Sequence, residues 1–206
     1  MTLPHHSPAA ARNKQAILEV LRKVLPARGA ALEIASGTGE HVAWFAAAMP
    51  HWTWQPTDFD KGVFASIEAH VAQAGLQNVR APVRLDVTAP QWPVGGLPFD
   101  AIYCANMLHI APWAACAGLM AGAARHLAPH GALVTYGPYL EDAVPAAPSN
   151  LQFDASLRAR NPAWGIRRLD DVKQEAQRAG LALRERHAMP ANNLVLVFSS
   201  SGAARK

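Results

Sequence analysis

The chain has 206 residues, of which half are hydrophobic and 17% are charged. This length and balance predict one folded α/β domain and argue against a disordered chain. The net charge is +4, from 19 basic and 15 acidic side chains. Because no long run of lysine and arginine occurs, this charge does not indicate nucleic-acid binding and fits an ordinary solvated surface.

Two further features bear on where the protein works. No apolar stretch approaches the length of a membrane span, and residues 1–10 lack the apolar core of a signal peptide. The two cysteines, Cys104 and Cys116, make neither a disulfide framework nor a metal site. We therefore expect a protein of the reducing cytoplasm that uses no metal and no membrane, while its oligomeric state does not follow from the sequence.

The chain starts with a helix and then alternates strands with helices. Ser7 is suited to cap a helix and Pro8 to occupy its first position, while Pro26 ends it. Apolar spacing predicts further helices at 40–49, 62–74, 114–127, 154–160 and 170–179. Strands are predicted at 30–35, 52–57, 79–85, 99–105, 132–136, 181–187 and 194–198, with a turn at 129–131.

This alternation predicts the fold class. Strands joined by helices and short turns favour a mostly parallel sheet with helices on both faces. The last two strands have only a short link between them, so they must pair as an antiparallel hairpin. The expected result is a Rossmann-like, seven-stranded α/β sheet in a single domain, 1–206. Ligands of such sheets bind at the carboxyl ends of the strands.

The most informative stretch is 32–41, where the first predicted strand runs into a turn that opens a helix. Gly37 and Gly39 lack the Cβ atoms that would block a tight turn and the close approach of a ligand. The helix that follows offers unpaired N–H groups and a positive dipole end to a polar or anionic ligand. We therefore expect a nucleoside cofactor here.

Two features separate the candidate cofactors. Asp58 lies 19 residues after Gly39, where an acid would accept hydrogen bonds from the ribose of a dinucleotide or of S-adenosylmethionine (SAM). The dinucleotide pattern G-x-G-x-x-G is incomplete, because Val42 occupies the third glycine position. A terminal antiparallel hairpin is also not expected of a plain dinucleotide fold. Both observations favour SAM.

Residues 33–39, Glu-Ile-Ala-Ser-Gly-Thr-Gly, resemble the first motif of class I SAM-dependent methyltransferases, E/D-x-G-x-G-x-G, with Ala35 replacing its first glycine. The resemblance covers about residues 30–136. It implies that SAM is the cofactor and S-adenosyl-L-homocysteine the product. The cofactor-binding residues it implies are Glu33, Ala35, Ser36, Gly37, Gly39 and His41 in the first motif, Asp58 at the ribose, Asp86 and Val87 at the adenine, and Asn106 and Met107 near the sulfonium.

A narrower resemblance extends over nearly the whole chain. The sequence is similar to the methyltransferase-like 26 family, whose acceptor is uncharacterised. The segments that carry this similarity are 7–14, 33–39, 54–58, 136–139, 164–167 and 189–193. It supports the fold and the cofactor and gives no information on the acceptor, which we expect to be a small molecule rather than a nucleic acid.

The acceptor side of the site is predicted from loops at the same sheet edge. His109 is the natural general base and Tyr136 a second catalytic candidate, although a histidine after an apolar strand often has only a structural role. Tyr139, Asn192 and Asn193 could bind the substrate, or the asparagines could simply form a turn. Residues 137–165 form a long irregular segment that we expect to cap the acceptor.

The N-terminal region, 1–28, is expected to form a helical lid. Arg12, Asn13 and Lys14 could close over the cofactor, or they could lie on a solvated helix face. Other structural roles also remain open: Glu33 could hold the turn, Asp58 could cap a helix and Asp86 could cap a turn.

Three alternative functions remain beside methyl transfer. They are a non-catalytic SAM-binding or interaction protein, an aminopropyl transferase using decarboxylated SAM, and a nicotinamide-dependent reductase. The sequence has no obvious acidic polyamine pocket, which speaks against the second, and its incomplete glycine pattern speaks against the third.

Overall fold

A computed structural model describes residues 3–142 and 144–202. Its α-helices are α1 (Pro8–Val24), α2 (Glu40–Ala48), α3 (Phe64–Gln73), α4 (Trp113–His126), α5 (Pro148–Arg160) and α6 (Leu169–Arg178). Its strands are β1 (Gly29–Ile34), β2 (Trp52–Asp58), β3 (Val83–Arg84), β4 (Phe99–Ala105), β5 (Leu127–Gly137), β6 (Tyr139–Leu140), β7 (Arg167–Arg168), β8 (Leu181–Met189) and β9 (Asn193–Ser200). Short 3₁₀ turns occupy Lys61–Val63, Met107–His109 and Pro190–Asn192.

The main sheet has seven strands in the order β3-β2-β1-β4-β5-β9-β8. Its first five strands are parallel, whereas β9 runs antiparallel to both β5 and β8. The predicted fold class is therefore confirmed, including the terminal hairpin. Strand order reverses at β1 and β4, so their carboxyl ends flank the crevice in which such folds bind ligands.

The core lies on both faces of this sheet, as the alternation of side chains along β4 illustrates. Ile102 and Cys104 point into a cluster formed with α4 and α6, while Ala101 and Tyr103 point into a cluster formed with α1 and α2. Period-2 alternation thus gives each face of the strand its own layer of helices. Among the described residues, no helix combines the length and the apolar character needed to cross a bilayer.

Both cysteines are free thiols enclosed in the core. Burial raises the pKa of Cys116 to about 12 and raises the pKa of Cys104 further above its usual range. Both side chains belong to the cluster on the α4 face. They act there as small apolar side chains.

The predicted start of α1 is confirmed in detail. Ser7 is the N-cap, with its Oγ accepting a hydrogen bond from the Ala10 N–H at 3.3 Å, and Pro8 occupies the first helical position. The helix buries Ile17, Leu18 and Leu21 against α2. This stripe stabilises α1 as a packed element of the domain.

The third predicted strand, 79–85, is shorter than expected. Pairing with β2 starts at an isolated bridge between Trp54 and Val79 and resumes only at Val83. Between them stands Pro82, which has no N–H to donate to a ladder. The Gln55 side chain fills part of this gap by donating to the Ala81 carbonyl at 2.8 Å.

Two other predictions differ from the structure. The predicted turn at 129–131 lies inside β5, where the register shifts, because Gly131 lets the chain approach β4 closely: a Cβ there would lie 2.7 Å from the Phe99 carbonyl oxygen. The segment 137–165 is also more regular than predicted. It contains β6, which pairs with β7 in a small second sheet, and all of α5, which starts at Pro148 rather than at residue 154.

Candidate active site

Backbone strain is concentrated at one edge of the sheet. The described non-glycine residues with positive φ are Ala35, Asn106, Ala191 and Asn192, with values of 55°, 58°, 57° and 56°. They follow β1, β4 and β8, so each lies at the carboxyl edge. A left-handed conformation costs an L-residue about 1–2 kcal/mol, and strain of this kind clusters at functional sites.

The turn after β1 combines three left-handed residues, Ala35, Gly37 and Gly39. A Cβ on Gly37 would meet nothing within 4 Å, whereas a Cβ on Gly39 would lie 2.6 Å from the Ile67 Cα. The two glycines therefore serve different purposes. Gly39 lets the turn pack against α3, and Gly37 leaves open space at the surface of the turn.

Ser36 holds this turn against β2. Its N–H donates to the Thr57 carbonyl at 2.9 Å, and its Oγ accepts from the Thr57 N–H at 3.2 Å. The side chain of Thr57 donates to the Glu33 carbonyl at 2.6 Å. These bonds extend the pairing of β1 and β2 beyond the strand end, which fixes the position of the turn.

Glu33 is buried beneath the turn. Its Oε2 has no hydrogen-bond partner among the described residues, and burial raises the pKa of its carboxyl to about 8. A hydrogen bond with the Ser36 side chain opposes this shift, and the nearby Asp58 adds to it. An unsatisfied buried carboxyl oxygen is costly, so it indicates a missing polar partner at this site.

Asp58 reaches from the end of β2 to the same turn. Its Oδ2 accepts a hydrogen bond from the Gly37 N–H at 2.9 Å, and its Oδ1 accepts from the Asp60 N–H at 3.0 Å. A carboxylate offers about four lone-pair positions, so this side chain can accept further hydrogen bonds. The sequence-predicted acid and glycine turn are therefore in direct contact.

Asp86 lies farther out, after β3. Its Oδ1 accepts hydrogen bonds from the Thr88 N–H at 2.9 Å and the Thr88 hydroxyl at 2.7 Å, and these bonds lower the pKa of Asp86. The carboxylate thus caps the turn that follows the strand. Val87 beside it is buried, and its carbonyl accepts from the Trp92 indole at 3.2 Å.

The first turns of α1 meet the site at His41 and Tyr136. Asn13 is within hydrogen-bond distance of His41, and its side chain also hydrogen-bonds Tyr136. Burial raises the pKa of Tyr136, although Arg12 and Asn13 oppose the shift. Lys14 lies 4.6 Å from the centre of the Trp44 ring, and its charge adds to the lowering of the His41 pKa that burial causes. One asparagine thus links α1, α2 and β5.

Glu40 lies beside the glycine turn, and the sequence interpretation did not single it out. It is buried at the start of α2, and its carboxylate accepts a hydrogen bond from the Ser7 N–H and lies 3.2 Å from the His6 ring. The His5 N–H donates to the Ser66 Oγ at 2.8 Å, and Ser66 in turn donates to the Thr38 carbonyl. The segment before α1 is thereby fastened to the glycine turn. The sequence signal that could have identified Glu40 is its position directly after Gly39.

His109 lies at the end of β4 in an enclosed position. Neither ring nitrogen has a hydrogen-bond partner in the described part of the chain, and burial lowers the pKa of the imidazole to about 3, with Arg167 adding to the shift. A Cβ on Gly137 would lie 2.4 Å from Nε2 and 3.3 Å from the Asn106 Oδ1. Met107 is buried beside these groups. Gly137 therefore provides the space that the imidazole fills.

Tyr139, Asn192 and Asn193 meet at a separate cleft of about 160 Å³ at the same edge. The Tyr139 ring packs edge-on against His109 at 5.1 Å, and its hydroxyl donates to the Thr135 Oγ1 at 2.9 Å. Asn150 of α5 also lines the cleft and donates to the Asn192 carbonyl at 3.1 Å. No sequence pattern singled out Asn150, because its role depends on where α5 packs.

The predicted residues thus form neighbouring groups along one edge. Glu33, Gly37 and Asp58 form the turn group, and Asn13, His41 and Tyr136 form a group below α1. His109 and Tyr139 connect the end of β4 to the cleft. Asp86 and the buried Val87 follow β3, and Lys14 lies against Trp44.

A protein family described as "Protein of unknown function (DUF938)" matches residues 4–200. The chain belongs to this family. The match covers almost the entire DUF938 member described here, including the glycine turn, the terminal hairpin and the cleft. The family description assigns no activity.

Solved structures share the fold of this DUF938 protein. An O-methyltransferase family protein from Burkholderia thailandensis matches with a TM-score of 0.79 and 18% identity over 95% of this chain and 58% of that chain. CalO1, a methyltransferase in calicheamicin biosynthesis solved with S-adenosylhomocysteine, matches with a TM-score of 0.73 and 15% identity over 93% of this chain and 54% of that chain. The mitomycin 7-O-methyltransferase MmcR matches with a TM-score of 0.79 and 15% identity over 93% of this chain and 54% of that chain. The chain spans little more than half the length of these proteins, and the likeness shows a methyltransferase fold.

Proposed function

We propose that this protein is a SAM-dependent methyltransferase that acts on a small molecule. The observation that carries the proposal is the unpartnered, buried Glu33 carboxyl oxygen beneath a left-handed turn that is contacted by Asp58. The methyltransferase fold of the DUF938 chain, and a similar protein solved with S-adenosylhomocysteine, support it. The finer placement in the methyltransferase-like 26 family rests on the quoted segments.

The turn group fits the polar parts of SAM. Asp58 would accept hydrogen bonds from the ribose hydroxyls, and Ala35, Gly37 and Gly39 would line the methionine end. Glu33 would interact with the amino group, directly or through water, which would give its unpartnered oxygen a donor. Asp86 and Val87 would meet the adenine, and Ser36 would keep the turn in place.

SAM supplies a methyl group on a sulfonium, so the main tasks of the protein are alignment and exclusion of water. We propose that Asn13 holds the start of α1 over the methionine end through His41 and Tyr136. Arg12 and Lys14 would complete this lid. Residues 137–165, with α5, would cover the acceptor within the same single domain.

His109 would be a weak proton acceptor at neutral pH, because its pKa is about 3. Its ring is uncharged there and has one donor and one acceptor nitrogen, neither of which is paired among the described residues. We propose that His109 is a positioning residue that holds the Tyr139 ring beside the acceptor, rather than a general base. Tyr136, which faces Asn13, would position the lid.

Cofactor binding tests this function directly. Titration calorimetry with SAM, S-adenosylhomocysteine and NAD should give binding for the first two alone. Asp58→Ala should lower the affinity for S-adenosylhomocysteine at least tenfold, because a hydrogen bond to a charged group contributes about 1.5–3 kcal/mol. Asp58→Asn keeps one acceptor oxygen and should give a smaller loss.

Asp60→Ala is the matched control, because Asp60 lies in the same loop and caps the turn at Gly62. It should bind S-adenosylhomocysteine as the wild type does. Unchanged affinity in a cooperatively folded Asp58→Ala variant would refute the ribose role, and binding of NAD instead would refute the cofactor. Cofactor binding without label transfer to any acceptor in metabolite extracts would favour the non-catalytic alternative.

A further inference from the structure

The cleft beside Tyr139 carries a second inference, which concerns the class of acceptor. It is formed by β6, by residues 144–150 and by the turn between β8 and β9. The groups proposed to hold SAM lie outside it. We propose that this cleft binds the methyl acceptor and that the acceptor is an uncharged, ring-sized molecule bearing a hydroxyl. The inference rests on the proposed methyltransferase function.

The size of the cleft limits the acceptor. Its volume is about 160 Å³. A cavity of about 150 Å³ in another protein holds a benzene molecule. Val144, Pro145 and Met189 give part of the wall an apolar surface. A single ring therefore fits the cleft, while a larger ligand would extend beyond it.

The charge of the cleft excludes ionic acceptors. Among the described lining residues the charged side chains are Glu141 and Arg186, which form two hydrogen bonds of 2.8 and 2.6 Å with each other. Arg186 lowers the pKa of Glu141, so the carboxylate is ionised and the pair is neutral as a whole. A carboxylate or ammonium ligand would find no free counterion here.

The nearby arginines are also engaged. Arg158 pairs with Asp154, Arg168 pairs with Asp142, and Arg167 donates to backbone carbonyls. An aliphatic amine would arrive as an ammonium ion, because its pKa is about 10. A hydroxyl is uncharged at neutral pH and can both donate and accept a hydrogen bond, so it suits this neutral, amide-bearing lining.

Amide groups provide the polar contacts. Asn193 donates to the Pro190 and Ala191 carbonyls at 3.1 and 3.2 Å, and Asn150 donates to the Asn192 carbonyl. These bonds hold the left-handed pair Ala191 and Asn192. The Asn192 side chain itself makes no hydrogen bond to other described residues. It is thus the group available to orient an acceptor by donating and accepting hydrogen bonds.

The cleft is next to the position where the methyl group is expected. Tyr139 lines the cleft and packs on His109, which lies against Gly137 and near Asn106. On transfer, the hydroxyl oxygen forms a bond to the methyl carbon while the sulfur–methyl bond breaks. The electron pair of the sulfur–methyl bond remains on sulfur, and the hydroxyl proton is released to solvent.

Three single-ring compounds of different charge test the inference. The full chain, saturated with S-adenosylhomocysteine, is titrated with phenol, benzoate and benzylamine while ligand-observed NMR measures binding. Phenol should bind at least fivefold more tightly than either ion. Asn192→Ala should weaken phenol binding at least fivefold, whereas Gln152→Ala, which removes an exposed amide from the same helix as Asn150, should leave it unchanged.

Charge variants give a second readout. Glu141→Gln frees the Arg186 guanidinium and should tighten benzoate binding at least threefold, and Arg186→Gln should do the same for benzylamine. Equal or tighter binding of an ion to the wild type, or unchanged phenol binding by Asn192→Ala, would overturn the acceptor class while cofactor binding stands. Calorimetry on the same sample that shows no binding of S-adenosylhomocysteine would overturn both proposals.

Discussion

The Nε2 atom of His41 lies 2.7 Å from the Oδ1 atom of Asn13, which ties the start of α1 to the start of α2. The His41 ring also stacks on Phe45, with the ring centres 5.4 Å apart. Burial lowers the pKa of His41 to about 4, so the ring is neutral at pH 7 and donates to the asparagine oxygen. The start of α1 is thus held against α2 by an uncharged hydrogen bond.

Replacing Asn13 with alanine should loosen α1 from the site. The variant leaves a buried imidazole nitrogen without a partner, which costs about 1–3 kcal/mol. Thermal unfolding should show this loss, and calorimetry should show weaker binding of S-adenosylhomocysteine. Gln15→Ala is the control, because among the described residues the Gln15 side chain bonds only the exposed Glu19 on the same helix. Equal behaviour of the two variants would contradict a lid role for Asn13.

The cofactor-free protein should be most stable near pH 6.5. The pKa of Glu33 is raised to about 8, so its contribution is complete below the unfolded value of 4.5 and is lost as pH rises through 8. The pKa values of His41 and His109 are lowered to about 4 and 3, so their contributions are present above 6.5 and are lost as pH falls. Each net proton changes stability by about 1.4 kcal/mol per pH unit.

Denaturant unfolding between pH 5 and pH 8.5 measures this profile. The free energy of unfolding should fall on both sides of the maximum. On the acid side, unfolding lets the two histidines bind protons while Glu33 releases one, so unfolding takes up about one net proton. Glu33→Gln should remove the decline between pH 6.5 and pH 8 and steepen the decline on the acid side from about one net proton to about two. A Glu33→Gln profile that still declines above pH 6.5 would show that another group titrates there.

The two glycines of the turn should separate folding from binding. Gly39→Ala places a Cβ 2.6 Å from the Ile67 backbone in a left-handed conformation and should cost about 2–5 kcal/mol of stability. Gly37→Ala meets no protein atom, so only about 1–2 kcal/mol of strain is expected. Its Cβ would nevertheless enter the open space at the turn, and binding of S-adenosylhomocysteine should fall at least tenfold.

Ala35→Gly is the matched control for these two variants. It relieves a left-handed alanine at the cost of a more flexible unfolded chain, so its stability should change by no more than about 1 kcal/mol. Its affinity for S-adenosylhomocysteine should fall less than that of Gly37→Ala, because the change adds no atom to the open space at the turn. Full affinity in Gly37→Ala would argue against a ligand at the turn.

Arg167 should be important for the loop that carries His109. Its guanidinium donates to the carbonyls of Leu108, Ala111 and Ala163 at 2.7–2.9 Å and lies 5.7 Å from the Trp113 ring centre. A lysine cannot reproduce this planar fork, so Arg167→Lys should cost about 2–4 kcal/mol. Hydrogen exchange should quicken at residues 106–111.

The neighbouring Arg168→Lys is the control, because Arg168 forms an exposed pair with Asp142. Such a pair contributes little to stability, so this variant should unfold within about 1 kcal/mol of the wild type. Similar losses in both variants would mean that the carbonyl contacts of Arg167 are not the cause.

The sequence predicts the sheet because its signals are local. Apolar strands, the N-cap at Ser7 and the short final link each depend on neighbouring residues, and all three features are present in the structure. The shortened β3 and the long β5 were missed because strand ends depend on the partner strand. Pro82 interrupts the pairing of β2 with β3, and Gly131 allows β5 to continue beside β4.

The contacts of the candidate site also fall into two kinds, those that local sequence predicts and those that depend on packing. The contact between Asp58 and Gly37 follows from spacing along adjacent parallel strands, so sequence reasoning can reach it. The meeting of Asn150 with Asn192, and of Glu141 with Arg186, joins residues more than 40 positions apart. Such contacts depend on how α5 and β6 pack beside the hairpin, which local patterns do not encode.

The two enclosed thiols have a practical consequence. A thiol reacts as its thiolate, and the raised pKa values of Cys104 and Cys116 keep both side chains protonated at neutral pH. Maleimide reagents should therefore leave the native chain unlabelled. A single cysteine introduced at the exposed position of Arg12 would then carry a fluorophore alone, which would allow the movement of α1 to be followed in real time without first removing any native cysteine.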